Sequence, residues 1–134
     1  METIKVILEK TNTGYSAYMP DIDGCVSVGD DLEDTKQNML EAVELFVEVA
    51  NEEDIELPEA LKGDYVLDFK IDARTFFEWM KGIITKAGLS QLTGLNKSLI
   101  SQYANGVKNP SQKQLMRIES ALHKFGGELQ AISF

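Results

Sequence analysis

Residues 85–117 read TKAGLSQLTGLNKSLISQYANGVKNPSQKQLMR, and the punctuation of this stretch decides the second half of the fold. Helical spacing runs from Lys86 to Thr93 and meets Gly94, a residue free to take positive φ and so to end a helix. A second helix opens after Asn96, whose side chain suits an N-cap, and stops at Asn105-Gly106. Two short helices separated by three residues make a helix-turn-helix. Leu89, Leu92, Leu95, Ile100 and Tyr103 supply its buried contacts, and the small Ser90 lets the pair approach closely. Lys97, Ser98, Ser101, Gln102 and Asn105 are left pointing outward from the second helix. Such a face is short, polar, poor in acid and rich in groups that both donate and accept hydrogen bonds, as reading base edges in the major groove requires.

Downstream, Asn109-Pro110 and Gly126-Gly127 are further breaks, and the end of the chain, Glu128–Phe134 (ELQAISF), alternates weakly and is read as a short strand. Upstream, Asp72 is placed to cap a helix whose buried positions are Phe76, Phe77, Met80, Ile83 and Ile84. Before Asp72 the apolar period is two rather than 3.6. Ile4, Val6 and Leu8 alternate within a first strand ending at Thr11-Asn12-Thr13-Gly14; Tyr15–Met19 and Cys25–Val28 are two more antiparallel strands; Tyr65–Ile71 is a fourth. Between the third and fourth lies a helix with Leu32, Met39, Val43, Phe46, Val47 and Ala50 on one face, Glu33, Lys36, Gln37, Glu41, Glu44 and Glu48 on the other, and Asp31 as its N-cap. The expected fold is α+β: a βββαβ domain over residues 1–71, then an all-α helix-turn-helix domain over residues 72–134 with a C-terminal strand.

Charge divides at the same place. The net charge of −9 is the sum of −13 over residues 1–70, with 18 acidic and 5 basic side chains, and +4 over residues 71–134, with 4 acidic and 8 basic. The acidic half repels nucleic acid and attracts a basic protein; the basic half can approach phosphates. At 134 residues the chain has no room for a barrel enzyme. No apolar run reaches the roughly 18 residues of a membrane span, and METIKVILEKTN has neither a basic leader nor an apolar stretch to cleave, so a cytoplasmic location is expected. The single cysteine, Cys25, allows no internal disulfide and no thiolate metal cluster.

The run L-x-x-L-T-G-L-N-K-S-L-I-S-Q-Y-x-N-G-x-x-x-P-S, continued by Leu115, Ile118 and Ala121-Leu122, resembles the Cro/repressor-like (XRE-type) helix-turn-helix domain. It departs from the family at Lys86, where Gln is common, and at Gly88, inside the first helix. In the other half, Gly14-Tyr15-Ser16-Ala17-Tyr18-Met19-Pro20-Asp21-Ile22-Asp23-Gly24-Cys25-Val26-Ser27-Val28-Gly29-Asp30, followed by an acidic helix with Asn38 and Glu41-Ala42, is similar to the pattern of HicB antitoxins, with Asp31 where that family often has Thr. The order of the two segments agrees with family members that carry a C-terminal DNA-binding domain. The resemblance implies a partial RNase H-like domain that binds and inhibits a HicA-type ribonuclease toxin, and autorepression of the operon by the other domain. The sequence offers no convergent carboxylate set, Ser-His pair or Cys-His pair, so neither catalysis nor a cofactor is expected.

Sharper readings of single residues yield to plainer ones. Asp21, Asp23, Asp30 and Asp31 crowd two adjacent turns, where Asp serves capping and turn geometry, whereas metal-assisted phosphoryl chemistry needs carboxylates converging from separate elements. No metal or catalytic residue is assigned. His123 has no ligand or nucleophile near it in sequence and reads as an exposed cation near a helix C-terminus. Cys25 reads as a small buried strand residue, and Phe76, Phe77 and Trp79 as core or interface.

The expected function is an antitoxin and DNA-binding autorepressor that is not an enzyme; the alternatives are a ligand-sensing repressor and an active nuclease. Tyr18, Met19, Pro20, Asp21 and Asp23, with acids of the long helix, are expected to face the toxin. Ser98, Ser101 and Gln102 are expected to address bases and Lys97, Lys108 and Ser111 phosphates of double-stranded operator DNA, with Lys86, Asn96 and Asn105 completing the set. One reading helix spans too few base pairs for useful specificity, so a homodimer or higher homo-oligomer is expected, joined through Leu129, Ile132 and Phe134.

Overall fold

The computed structural model describes residues 1–134, which divide into two compact units, Met1–Asp72 and Ala73–Phe134. The architecture is α+β. The first unit runs β1 (Glu2–Lys10), β2 (Tyr15–Tyr18), β3 (Val26–Gly29), α1 (Leu32–Glu52), a 3-10 turn at Glu59–Leu61 and β4 (Tyr65–Ile71). Its four-stranded sheet has the order β3-β2-β1-β4. β1 pairs antiparallel with β2 and parallel with β4, from Glu2 opposite Tyr65 to Leu8 opposite Ile71. A parallel pair needs a crossover, and α1 lies within it.

The alternation in β1 sends Ile4, Val6 and Leu8 into one core with Ala17, Met19, Ile22, Cys25, Met39, Val43, Leu61 and Leu67. Its turn is held by Thr11, whose Oγ1 accepts from the Gly14 amide at 3.1 Å. Position 14 requires glycine because a Cβ there would strike the Gly29 carbonyl oxygen on β3. α1 begins at Asp31, whose carboxylate accepts from the Asp34 amide at 2.7 Å. Thr35, fully buried, donates its hydroxyl to the Asp31 carbonyl at 2.7 Å, so no polar group is stranded beneath the helix. Asn38 fastens α1 to the sheet margin by donating to the Val28 carbonyl at 2.9 Å.

The second unit is helical: α2 (Ala73–Met80), α3 (Lys86–Thr93), α4 (Lys97–Ala104) and α5 (Gln112–Gln130). Phe76, Phe77, Met80, Leu89, Leu95, Ile100, Tyr103, Ala104 and Ile118 form its core, in which the rings of Phe77 and Tyr103 stack at 6.2 Å. α2 is shorter than its apolar run suggests. It ends at Met80, leaving Ile84 half-buried and Ile83 exposed, so Ile83 is not a core position.

The C-terminal strand read from ELQAISF is not formed. Glu128, Leu129 and Gln130 continue α5, which passes through Gly126 and Gly127, and the residues beyond Gln130 join no sheet. Two glycines cost a helix about 1 kcal/mol each relative to Ala, which a 19-residue helix can carry. His123 therefore sits within α5 rather than at its end, exposed and 3.9 Å from the Glu119 carboxylate one turn back.

Candidate functional site

The geometry of the helix pair follows from small polar side chains that satisfy helix ends. Thr85 caps α3, its hydroxyl accepting from the Gly88 amide at 3.0 Å. At the other end the buried Thr93 hydroxyl donates to the Leu89 carbonyl at 2.7 Å and accepts from the Leu95 amide at 3.3 Å. Gly94 then takes φ 75°, in the left-handed region that other residues enter at a cost, and its amide closes on the Ser90 carbonyl. Asn96 caps α4 by accepting from the Leu99 amide at 2.7 Å. Gly94, Leu95 and Asn96 are thus the whole connection between α3 and α4, with Leu95 driven into the core.

On α4, Ile100, Tyr103 and Ala104 face inward, while Lys97, Ser98, Gln102 and the C-cap residue Asn105 are exposed and Ser101 is half-buried. The structure brings these five residues to one helical face, at intervals of one, three and four residues. Lys86 is exposed at the first position of α3. Lys108 is exposed in the turn after α4, where its amide and that of Val107 both reach the Gln102 carbonyl, and Ser111 caps α5 by accepting from the Gln114 amide at 3.2 Å. Asn96 and Ser111 are therefore structural caps, with one acceptor already engaged. From Lys86 to Arg117 there are five lysines and arginines and no Asp or Glu. This surface can hold phosphates along its edges and present amide and hydroxyl groups to base edges.

In the first unit, the turn between β2 and β3 divides its side chains. Pro20, Asp21 and Asp23 are exposed, whereas Met19 is only 4% exposed and Ile22 is also buried. Met19 is an anchor of this turn in the core, so its side chain cannot meet a partner. Tyr18 is half-buried, with its hydroxyl 3.3 Å from the Glu9 carboxylate. The negative charge of Glu9 pushes the phenol up from its ordinary value, helped by partial burial, the Glu9 hydrogen bond and Asp72. Asp31 is spent on its cap, and no group of three or more His, Cys, Asp or Glu side chains is placed to hold a metal ion. Cys25 is buried beside α1, its sulfur 3.9 Å from the Ala42 carbonyl, and burial pushes its thiol up.

The sequence reading missed an open apolar cavity of about 340 Å³ lined by Gly24, Cys25, Val26, Ala42, Leu45, Phe46, Val49, Ala50 and Ile55. Leu45 and Val49, one turn apart on α1, were the available signal, since they are apolar yet fall outside the buried helix face.

The chain matches the family described as "HicB_like antitoxin of bacterial toxin-antitoxin system" over residues 4–94, and a helix-turn-helix family over residues 80–124. Among individual relatives it is 40% identical over 55 residues to an "Uncharacterized 14.9 kDa protein in rep-hol intergenic region" of Haemophilus phage HP1, a stretch covering 41% of each chain. It is 41% identical over 44 residues to a "UPF0150 protein" of Helicobacter pylori, covering 33% of this chain and 61% of that one. To "UPF0150 protein ssr1765" of Synechocystis sp. it is 48% identical over 44 residues, covering 32% of this chain and 56% of the relative. The chain thus spans about half the length of the curated relatives it matches. No solved structure matches it. No helix is long and apolar enough to cross a membrane. With a family match across more than half its length and a helix-turn-helix in its second half, the chain belongs to the HicB-like antitoxins of bacterial toxin-antitoxin systems.

Proposed function

We propose that this protein is a non-catalytic cytoplasmic antitoxin that neutralises a HicA-type ribonuclease toxin and represses its own operon as a homo-oligomer. The observation that carries this reading is the division of charge between the units: Met1–Asp72 holds 19 acidic and 5 basic side chains, a net −14, while Ala73–Phe134 holds 3 acidic and 8 basic, a net +5. An acidic unit suits a basic toxin whose own task is to hold RNA, and occupying that RNA-binding surface is sufficient for inhibition. Tyr18, Pro20, Asp21 and Asp23 lie on the unit that would meet it. The second unit supplies the DNA contacts, with Ser98, Ser101 and Gln102 toward bases, Lys97, Lys108 and Ser111 toward phosphates, and Lys86, Asn96 and Asn105 at the margins of the same surface.

Two-fold pairing of the second unit would set two α4 helices into successive turns of the major groove, about 34 Å apart. Leu129, Ile132 and Phe134 are exposed at the end of α5 and beyond it, and they are the side chains such pairing would bury. The test is paired. The full chain is co-expressed with the HicA-type toxin it is proposed to neutralise, and footprinted on its own promoter. Rescue of growth together with a two-fold symmetric footprint is expected; growth arrest despite full expression of the chain, or a footprint without symmetry, refutes the corresponding half.

A further inference from the structure

The apolar cavity of the first unit lies on its surface and is lined by the segment Gly24–Val26, the second half of α1 and Ile55. Its mouth is formed by side chains that the fold leaves in water: Leu45 is 60% exposed, Val49 40% and Ile55 56%. Along α1 the row Ala42, Leu45, Val49 runs beside a second row, Glu41, Glu48 and Glu52, because residues three and four apart share a helix face. All three carboxylates are exposed. No ion pair joins any of them to a cation, although Lys62, Lys70 and Lys81 elsewhere each hold a carboxylate within 3.2 Å. Glu44, Glu53 and Asp54 add exposed acid to the same half of the helix and the turn after it.

An apolar cleft bordered by an unneutralised acidic row selects its occupant. A second copy of this unit would bring −14 against −14, and a neutral small molecule would gain nothing from the carboxylates. We infer that this cleft is where the antitoxin grips its toxin, receiving an apolar side chain flanked by lysines or arginines on the basic protein. The inference rests on the proposed toxin-binding function and deepens it. It moves the centre of the contact from the Tyr18–Asp23 turn to the groove formed by α1 and Gly24–Val26. Burial of the inserted side chain supplies residence time, and the acidic row supplies steering and fixes orientation. The 340 Å³ of the cavity suffices for one large apolar side chain.

The experiment measures affinity of the full chain for a purified HicA-type toxin whose growth arrest the chain relieves, by calorimetry at two salt concentrations. Two variants address the two parts of the cleft separately: Leu45→Ser with Val49→Ser, and Glu48→Lys with Glu52→Lys. Glu33→Lys is the charge control, about 22 Å from Glu48 along α1 at 1.5 Å per residue. All five positions are exposed, and melting temperatures verify folding; should the serine pair fail to fold, the lysine pair still decides. Each cleft variant is expected to weaken binding at least tenfold, the lysine pair also flattening the salt dependence, while Glu33→Lys binds as the parent does. Parental affinity in both cleft variants overturns the inference and leaves the toxin reading intact, since the parent still binds. A parent chain that does not bind the protein overturns both. Loss of self-association in the cleft variants, with toxin affinity unchanged, assigns the cleft to a second copy and overturns the inference as well.

Discussion

The Arg117 guanidinium on α5 stands 3.5 Å from the carbonyl oxygen of Gly94, the residue whose φ of 75° turns the chain from α3 into α4. At that distance the hydrogen bond is weak, so the turn depends on the backbone conformation of Gly94 rather than on the arginine. A Cβ at position 94 would also come within 2.5 Å of Arg117 Nη2, the movable end of a long side chain. Gly94→Ala is therefore expected to destabilise the second unit by about 1 to 2 kcal/mol, and Arg117→Ala by less than about 0.5 kcal/mol. Thermal denaturation checks the order; equal melting temperatures for Gly94→Ala and the parent would contradict it.

The proposed DNA contacts give Gln102 and Lys108 different parts. Gln102→Ala should cost about 1 to 3 kcal/mol of operator affinity and relax sequence preference at one position, whereas Lys108→Ala should weaken binding to all sequences alike and lower the salt slope by about one. Asn96→Ala must be read against its melting curve, because loss of the cap to the Leu99 amide alone costs about 1 kcal/mol of stability. Salt-dependent binding to the promoter and to scrambled DNA separates the three; indistinguishable effects of Gln102→Ala and Lys108→Ala would refute the assignment.

The end of α5 gives a prediction about mass. Leu129, in the last turn of α5, and Ile132, just past its end, are both more than half exposed. Leu129→Ser with Ile132→Ser should halve the molar mass measured by light scattering and reduce operator affinity, because two linked reading helices become single ones. A full-mass oligomer in this variant would place the pairing surface elsewhere.

Cys25 supplies a pH dependence. Burial raises its thiol above the ordinary value of 9.0, because the thiolate is disfavoured next to the apolar core. A group whose folded value is raised contributes stability that is complete below the unfolded value and is lost as pH rises through the folded one. Stability should therefore fall more steeply above about pH 9 in the parent than in Cys25→Ala. At pH 8 the native thiol should resist a disulfide reagent that modifies it at once in denaturant. Rapid modification of the folded protein would show that the site opens.

Much of this architecture is legible in residue order because local signals agree with tertiary ones. Asp31, Thr85, Asn96 and Ser111 each stand one position before a helix and each accepts from an amide three residues on. The exceptions have physical causes. Gly126-Gly127 reads as a break, but neither glycine takes positive φ and the helix continues through both. Met19 reads as a contact for the toxin because it ends a strand next to Pro20 and Asp21, yet it is pinned with Ile22 in the core. The cleft could not be read from any one segment, since Gly24–Val26, Ala42–Ala50 and Ile55 meet only after α1 has packed on the sheet.

The pairing of β1 with β4 joins residue 2 to residue 65, whereas β1, β2 and β3 are joined by short turns. During synthesis the first three strands can therefore associate early, while the free margin of β1 waits until Ile71 has left the ribosome tunnel. Loop closure over such a span is the slow event in assembling a sheet, and an open strand margin meanwhile invites wrong pairing and proteolysis. A newborn chain is thus vulnerable for as long as translation takes to deliver its fourth strand.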